Sequence, residues 1–235
     1  MTKRKRAYRV TCLLTVASLA AALAGCADQR VAKSALDAAH EAERGPLTPG
    51  ELRSAVLGGD ELPPGFQGPE DAPYAAPIVA HDPDCVGLAL LLSAGIGGPH
   101  VGAYATAAWS VPGESAQTTV AIASFGAGGA QAVVDEGMRA LDRCLTFAAS
   151  EAIGGSEQAP QCVPVPAAGD ESLGLVLAAP DDSEAGQGAA TGYVIVRVGD
   201  ILTVFGHRTA DGSSAAMPDP LLVEEQVARI SAELA

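Results

Sequence analysis

Aromatic side chains and positive charge are both scarce in this chain. Phe, Tyr and Trp make up 4% of 235 residues, with a single tryptophan at Trp109, so any ring on the surface is a large share of the apolar recognition area. Lys and Arg total 14 against 28 Asp and Glu, for a net charge of -14, and five of those bases (Lys3, Arg4, Lys5, Arg6 and Arg9) fall in the first nine residues. A body of that sign repels phosphate backbones and anionic headgroups, which argues against a nucleic-acid partner or a polybasic membrane patch. No apolar run reaches the roughly 20 residues a membrane-crossing helix needs. The four histidines are scattered and the cysteines lack Cys-x-x-Cys spacing, so no metal site is expected. His81 beside Asp82 and Asp84 reads as a helix cap, and the acidic stretch Asp181 to Glu184 lacks the ligand spacing of a calcium loop. There is no Gly-x-Ser-x-Gly elbow: Ser115 and Ser156 lie in loops, and neither a catalytic residue nor a cofactor is expected.

What the chain does have begins with a leader. Basic residues up to Arg9 precede fifteen apolar or small residues, Val10 to Ala24, and then Gly25 and Cys26. This is the layout of an export signal. Leu23 to Cys26, LAGC, resembles a bacterial lipobox, which implies a signal peptide over 1–25, a lipid on Cys26 and an extracytoplasmic protein anchored to the cell membrane without spanning it. An Ala-rich, charged tether is expected over 26–46. Thr48, Pro49 and Glu51 then form a capping box with the favoured proline at the helix start. Leu52, Val56 and Leu57 share one face of that helix, and Gly58 and Gly59 end it.

Residues 47–235 read as one α+β domain. A short helix follows Asp84, with Leu88, Leu91 and Leu92 as its apolar residues. Residues 103–111 and 117–125 form two apolar runs around Pro112 and Gly113, an antiparallel hairpin. The period then changes to 3.6, with Ala130, Val133, Val134, Gly137, Met138, Leu141 and Cys144 along one helix face. Three more strands are expected over 172–180, 190–200 and 200–209, the last two joined at Gly199 and Asp200, before a closing helix after Asp219. Residues 160–164 read as a proline-rich loop. Connections this short forbid crossovers, so the expectation is an antiparallel sheet of about five strands with helices packed on it.

Of the five cysteines, Cys12 belongs to the leader and Cys26 takes the lipid, which leaves Cys85, Cys144 and Cys162 in an oxidising compartment. A bond between Cys85 and Cys144 closes a loop of 59 residues, and one between Cys144 and Cys162 closes only 18. The longer loop gains more from closure, about 4 kcal/mol on the chain-entropy account. Both pairings are open to the sequence.

The lipobox, the capped helix ending in LPPGF, AQAVVDEGMRALDRCLTF with its cysteine, and YVIVRVGDILTVFGHR before the last helix resemble the actinobacterial lipoproteins related to the PknH-like extracellular sensor domain. That resemblance covers roughly Leu47 to Leu234. It implies an antiparallel sheet flanked by helices, a groove as ligand site, disulfides that hold the helices, and no enzyme activity. Cys85 and Cys144 match the family's first disulfide. Cys162 matches one half of the second, whose other half, expected between Ala189 and Val194, is missing, so Cys162 is expected to be unpaired or sheltered. For the groove, the candidates are Tyr104 or Trp109, which strand alternation sends to opposite faces, with Tyr193, Phe205 and His207 from the last hairpin. The function expected is a lipid-anchored binding or sensor-like module for an envelope small molecule, wall component or protein. A structural lipoprotein with its sheet fully covered is the alternative.

Overall fold

The computed structural model describes residues 45–70, 78–148, 157–178, 191–208 and 217–234. The leader, Cys26 and the tether as far as Arg44 lie outside them. Helix α1 (Pro49–Ser54) starts at Thr48 with the expected capping box: the Glu51 amide donates to Thr48 Oγ1, and the Glu51 carboxylate accepts from the Thr48 amide at 2.7 Å. Strand β1 (Gln67–Glu70) leads to helix α2 (Val86–Leu92), which Asp82 precedes as the cap of a short 3-10 turn. The hairpin of β2 (Val101–Ser110) and β3 (Gln117–Phe125) comes next, then helix α3 (Gly129–Leu141). Strands β4 (Phe147–Ala148), β5 (Glu157–Val163), β6 (Glu171–Ala178), β7 (Thr191–Val198) and β8 (Ile201–Arg208) follow, and helix α4 (Pro220–Leu234) closes the fold.

The sheet runs β1-β2-β3-β8-β7-β6-β5-β4, antiparallel throughout. It is therefore larger than the expected five strands: seven strands of four or more residues and the two-residue β4. The additional strands are β1, β4 and β5, all near an edge. In β5, EQAPQCV, polar residues and Pro160 hide the alternation that marks a strand, and its long pairing is with β6 alone, because β4 reaches only Glu157 and Gln158. Proline is tolerated in such a place because a strand near an edge has fewer ladder bonds to lose. Strand β1 carries Gly68 and Pro69 for the same reason.

Apolar clusters lie on both faces. On one, α2 and α3 cover Phe125, Leu175, Ile195 and Leu202; on the other, α1 and α4 cover Trp109, Ile122, Val196 and Phe205. Strand β7 lies between β8 and β6, buried on both sides as its near-continuous apolar sequence requires. The α1 segment is held onto α4 by polar contacts as well. Fully buried Gln226 donates to the Ala55 carbonyl at 2.6 Å and accepts from the Leu57 amide at 2.9 Å, while Arg229 donates to the Ser54 carbonyl. The Trp109 indole donates to the Leu57 carbonyl at 3.2 Å.

Cys85 and Cys144 are bonded, with Cα atoms 4.9 Å apart, which ties α2 to the end of α3 and removes the pairing of Cys144 with Cys162. Cys162 is exposed on β5 and is also disulfide-bonded, so the expectation of an unpaired or sheltered thiol there is not met.

Candidate functional site

The face that carries α2 and α3 is only partly roofed. Under the helices its sheet residues are apolar and buried: Ala123, Phe125, Leu202 and Val204 are all at 4% exposure or less. Alternation and register continue that face outward to Tyr104 and Thr106 on β2, Ala121 and Thr119 on β3, and Gly206 and Arg208 on β8. Each of these is exposed or half-buried, and Tyr104 stands 42% exposed. Among the described residues the result is an open strip of sheet whose middle carries small or hydroxyl-bearing side chains.

At its β7 margin, Thr119, Gly206 and Tyr193 fall in one register row. A Cβ on Gly206 would lie 3.2 Å from Thr119 Oγ1 and 3.3 Å from Tyr193 Cε1, so glycine is what lets the hydroxyl and the ring approach over this strand. The Thr119 hydroxyl donates a long 3.3 Å bond to the Gly206 carbonyl. Burial of Tyr193 pushes its phenol well above the ordinary value, and the nearby Arg208 guanidinium pulls in the opposite direction. Arg139, Arg143, Arg197 and Arg229 each pair with a carboxylate, whereas Arg208, like exposed Arg53 on α1, has no such partner among the described residues.

Neither Tyr104 nor Trp109 shares a face with all three hairpin candidates Tyr193, Phe205 and His207. Tyr104 and Tyr193 belong to the α2/α3 face. Trp109 and Phe205 are fully buried on the opposite face, where they fill the core under α1 and α4. His207 also faces that side, with Nδ1 2.9 Å from Thr118 Oγ1; burial lowers its pKa and the Glu114 carboxylate partly offsets this. Thr118 is 2% exposed, so the pair joins β3 to β8 and presents no nucleophile to solvent. Grouping by aromatic character mixed the two faces of a strand pair in which Tyr193 stands opposite Gly206 and Val194 opposite Phe205. Thr119, Gly206 and Arg208 escaped the sequence reading, although a glycine inside the apolar strand ILTVFGHR signals a close approach or a cradle. Among the described residues no cluster of three or more His, Cys, Asp or Glu is arranged to hold a metal ion.

A second polar group lies at the other end of the sheet. Arg197, mostly buried, sits 3.3 Å from Asp170 and 3.6 Å from Glu171, and Asp170 also accepts from the Gly199 amide at 2.6 Å. These contacts join the start of β6 to the β7–β8 turn, which is a structural role.

No family model matches this chain, and no curated protein does. Among solved structures it is similar to the crystal structure of the extracellular domain of PknH from Mycobacterium tuberculosis, with a TM-score of 0.52 and 13% sequence identity. The match covers 80% of this chain and 98% of that one. With so few residues in common the likeness is one of architecture, and the chain shares the fold of that extracellular domain.

Proposed function

We propose that this chain is a lipid-anchored, extracytoplasmic, sensor-like binding module, held to the cell membrane through Cys26, whose ligand lies on the open strip between Tyr104 and Arg208. The observation that carries this reading is the strip itself, where an exposed ring and a floor of small and hydroxyl side chains are held on rigid strands. The likeness to the extracellular domain of PknH and the disulfide Cys85–Cys144 support a place outside the cytoplasm. A scaffolding lipoprotein would need its sheet covered, and the strip argues against that alternative. Among its described residues the strip pairs no nucleophile with a base, which favours a binding role over an enzymatic one.

Mass spectrometry of species retained by the full chain purified from cells that make it tests the site. A Thr119→Trp variant, which fills the strip, is expected to lose the retained species. Retention of nothing by the wild type, or of the same species by both, defeats the reading. The anchor is tested separately by radiolabelled palmitate, which Cys26→Ala is expected not to incorporate; wild-type labelling of that variant would end the lipid assignment.

A further inference from the structure

We propose that the Gly206 end of the strip binds an anionic group, the carboxylate or phosphate of a ligand, held between the Arg208 guanidinium and the hydroxyls of Thr119 and Tyr193. The inference rests on the strip being the ligand site. Its first support is charge. In a chain with 28 acids and 14 bases an exposed arginine has many potential partners, yet Arg208 forms no ion pair among the described residues. It points to the same face as Gly206, two residues away and about 7 Å along the strand, which a guanidinium on its four-bond stem can span. Tyr193 stands opposite Gly206 and Thr191 opposite Arg208, so Arg208 and Tyr193 are diagonal neighbours on one face of the β7–β8 pair.

The second support is shape. Because Gly206 has no side chain, Thr119 Oγ1 and the edge of the Tyr193 ring close in over the strand, nearer than a Cβ there would comfortably allow. The Tyr193 phenol, and the Thr119 hydroxyl once it releases its long bond to the Gly206 carbonyl, stand beside a planar five-donor cation; such groups recognise planar or tetrahedral oxyanions, and charge-assisted bonds are about twice as strong as neutral ones. A neutral ligand would leave the guanidinium without a counter-charge. A cationic ligand would be repelled.

Chemical-shift mapping of the full chain in mild detergent tests this with four probes: inorganic phosphate, acetate, dihexanoylphosphatidic acid below its micelle concentration, and glycerol as the neutral control. The three anions are expected to move the amides of Thr119, Gly206 and Arg208 saturably, and glycerol is not. Arg208→Gln is expected to weaken the anions by about tenfold or more, the loss of one charge-assisted bond. Gly206→Ala, which pushes Thr119 and Tyr193 apart and leaves the charge in place, weakens them too. Tighter binding of the phosphatidic acid than of phosphate assigns the anion to a lipid headgroup, and equal binding assigns it to a free anion. Anions that move no amide on the strip, or that bind Arg208→Gln as they bind the wild type, overturn the inference. If the species retained from cells is kept equally by Arg208→Gln yet lost by Thr119→Trp, the strip survives as a ligand site and only its anionic preference falls.

Discussion

Replacement of Gly137 by alanine sets two effects of known size against each other. In the interior of a helix alanine is favoured over glycine by about 1 kcal/mol, so propensity alone predicts a more stable protein. Gly137 is buried in α3 where α2 crosses it, and an added Cβ would lie 2.7 Å from the Cβ and 3.0 Å from the Cγ of Leu91. The first of those contacts cannot be relieved by a rotamer change, because the Leu91 Cβ moves only with its backbone. The helices would have to separate by about 1 Å to restore an ordinary carbon contact. Gly87 makes the reciprocal approach, where an added Cβ would lie 2.7 Å from the Glu136 carbonyl oxygen, and the Cys85–Cys144 bond ties the two helices at that end of the crossing. Overpacking of this kind costs about 1–3 kcal/mol, and the fixed backbone on both sides puts Gly137→Ala near the upper end. Subtracting the propensity gain leaves a net loss of about 2 kcal/mol. Chemical denaturation of the oxidised chain should show a lower midpoint with an unchanged slope. The loss should shrink after reduction of the disulfide, when the helices are freer to part. Gly126→Ala is the control, since nothing lies within 4 Å of its added Cβ. A Gly137→Ala variant as stable as the wild type, or more so, would show that helix propensity wins and that the close approach is not why glycine is needed.

Two further outcomes follow from buried polar groups. Thr203 is fully buried in β8 among Ile122, Val196, Ile201 and Phe205, and its hydroxyl has no hydrogen-bond partner among the described residues. Thr203→Val keeps the shape and removes the unsatisfied group, so thermal or chemical denaturation should show a gain of about 1–2 kcal/mol; a loss would mean that the hydroxyl is satisfied. His207 has a pKa below its ordinary value of 6.5, mainly because of burial. Below 6.5 the unfolded chain takes up the proton more readily than the folded one, so the contribution of His207 is complete above that pH and is lost as pH falls through the folded value. Denaturation midpoints between pH 8 and pH 5 should fall on the acid side, and Glu114→Gln should move the imidazole titration seen by NMR to still lower pH. An imidazole that titrates above 6.5 would refute the assignment.

Much of the architecture was legible because it rests on long periodic stretches. The β2–β3 hairpin, the 3.6-residue pattern ending at Cys144, the last hairpin and α4 each carry enough apolar residues to reveal their period. Strands β1 and β5 carry no such pattern, since a strand near an edge needs neither two apolar faces nor a complete set of amides. The site was harder for a different reason. Tyr104 could be placed from alternation alone, but the groove needed every strand in register, and a shift of one residue in the last hairpin exchanges Tyr193 for Val194 across from Phe205. Gly206 and Thr119 are small and common, and only their shared row beside Tyr193 makes them notable.

The grip of Gln226 on Ala55 and Leu57 sets the order in which this molecule can be completed. The segment that follows Gly45 is among the first of the domain to be synthesised, and the fifteen residues of α4 are the last. Until those residues emerge, α1 rests on β2 without its clamp, the Leu57 amide lacks its acceptor, and the cluster around Val196 and Phe205 is without Leu222, Val223, Val227 and Ile230. Contacts spanning about 170 positions also make for slow closure. A growing chain therefore cannot finish this domain piece by piece. A nonsense change shortly before Pro220 should yield not a slightly shorter protein but one that leaves its beginning undone, open to proteases at the end farthest in sequence from the lesion.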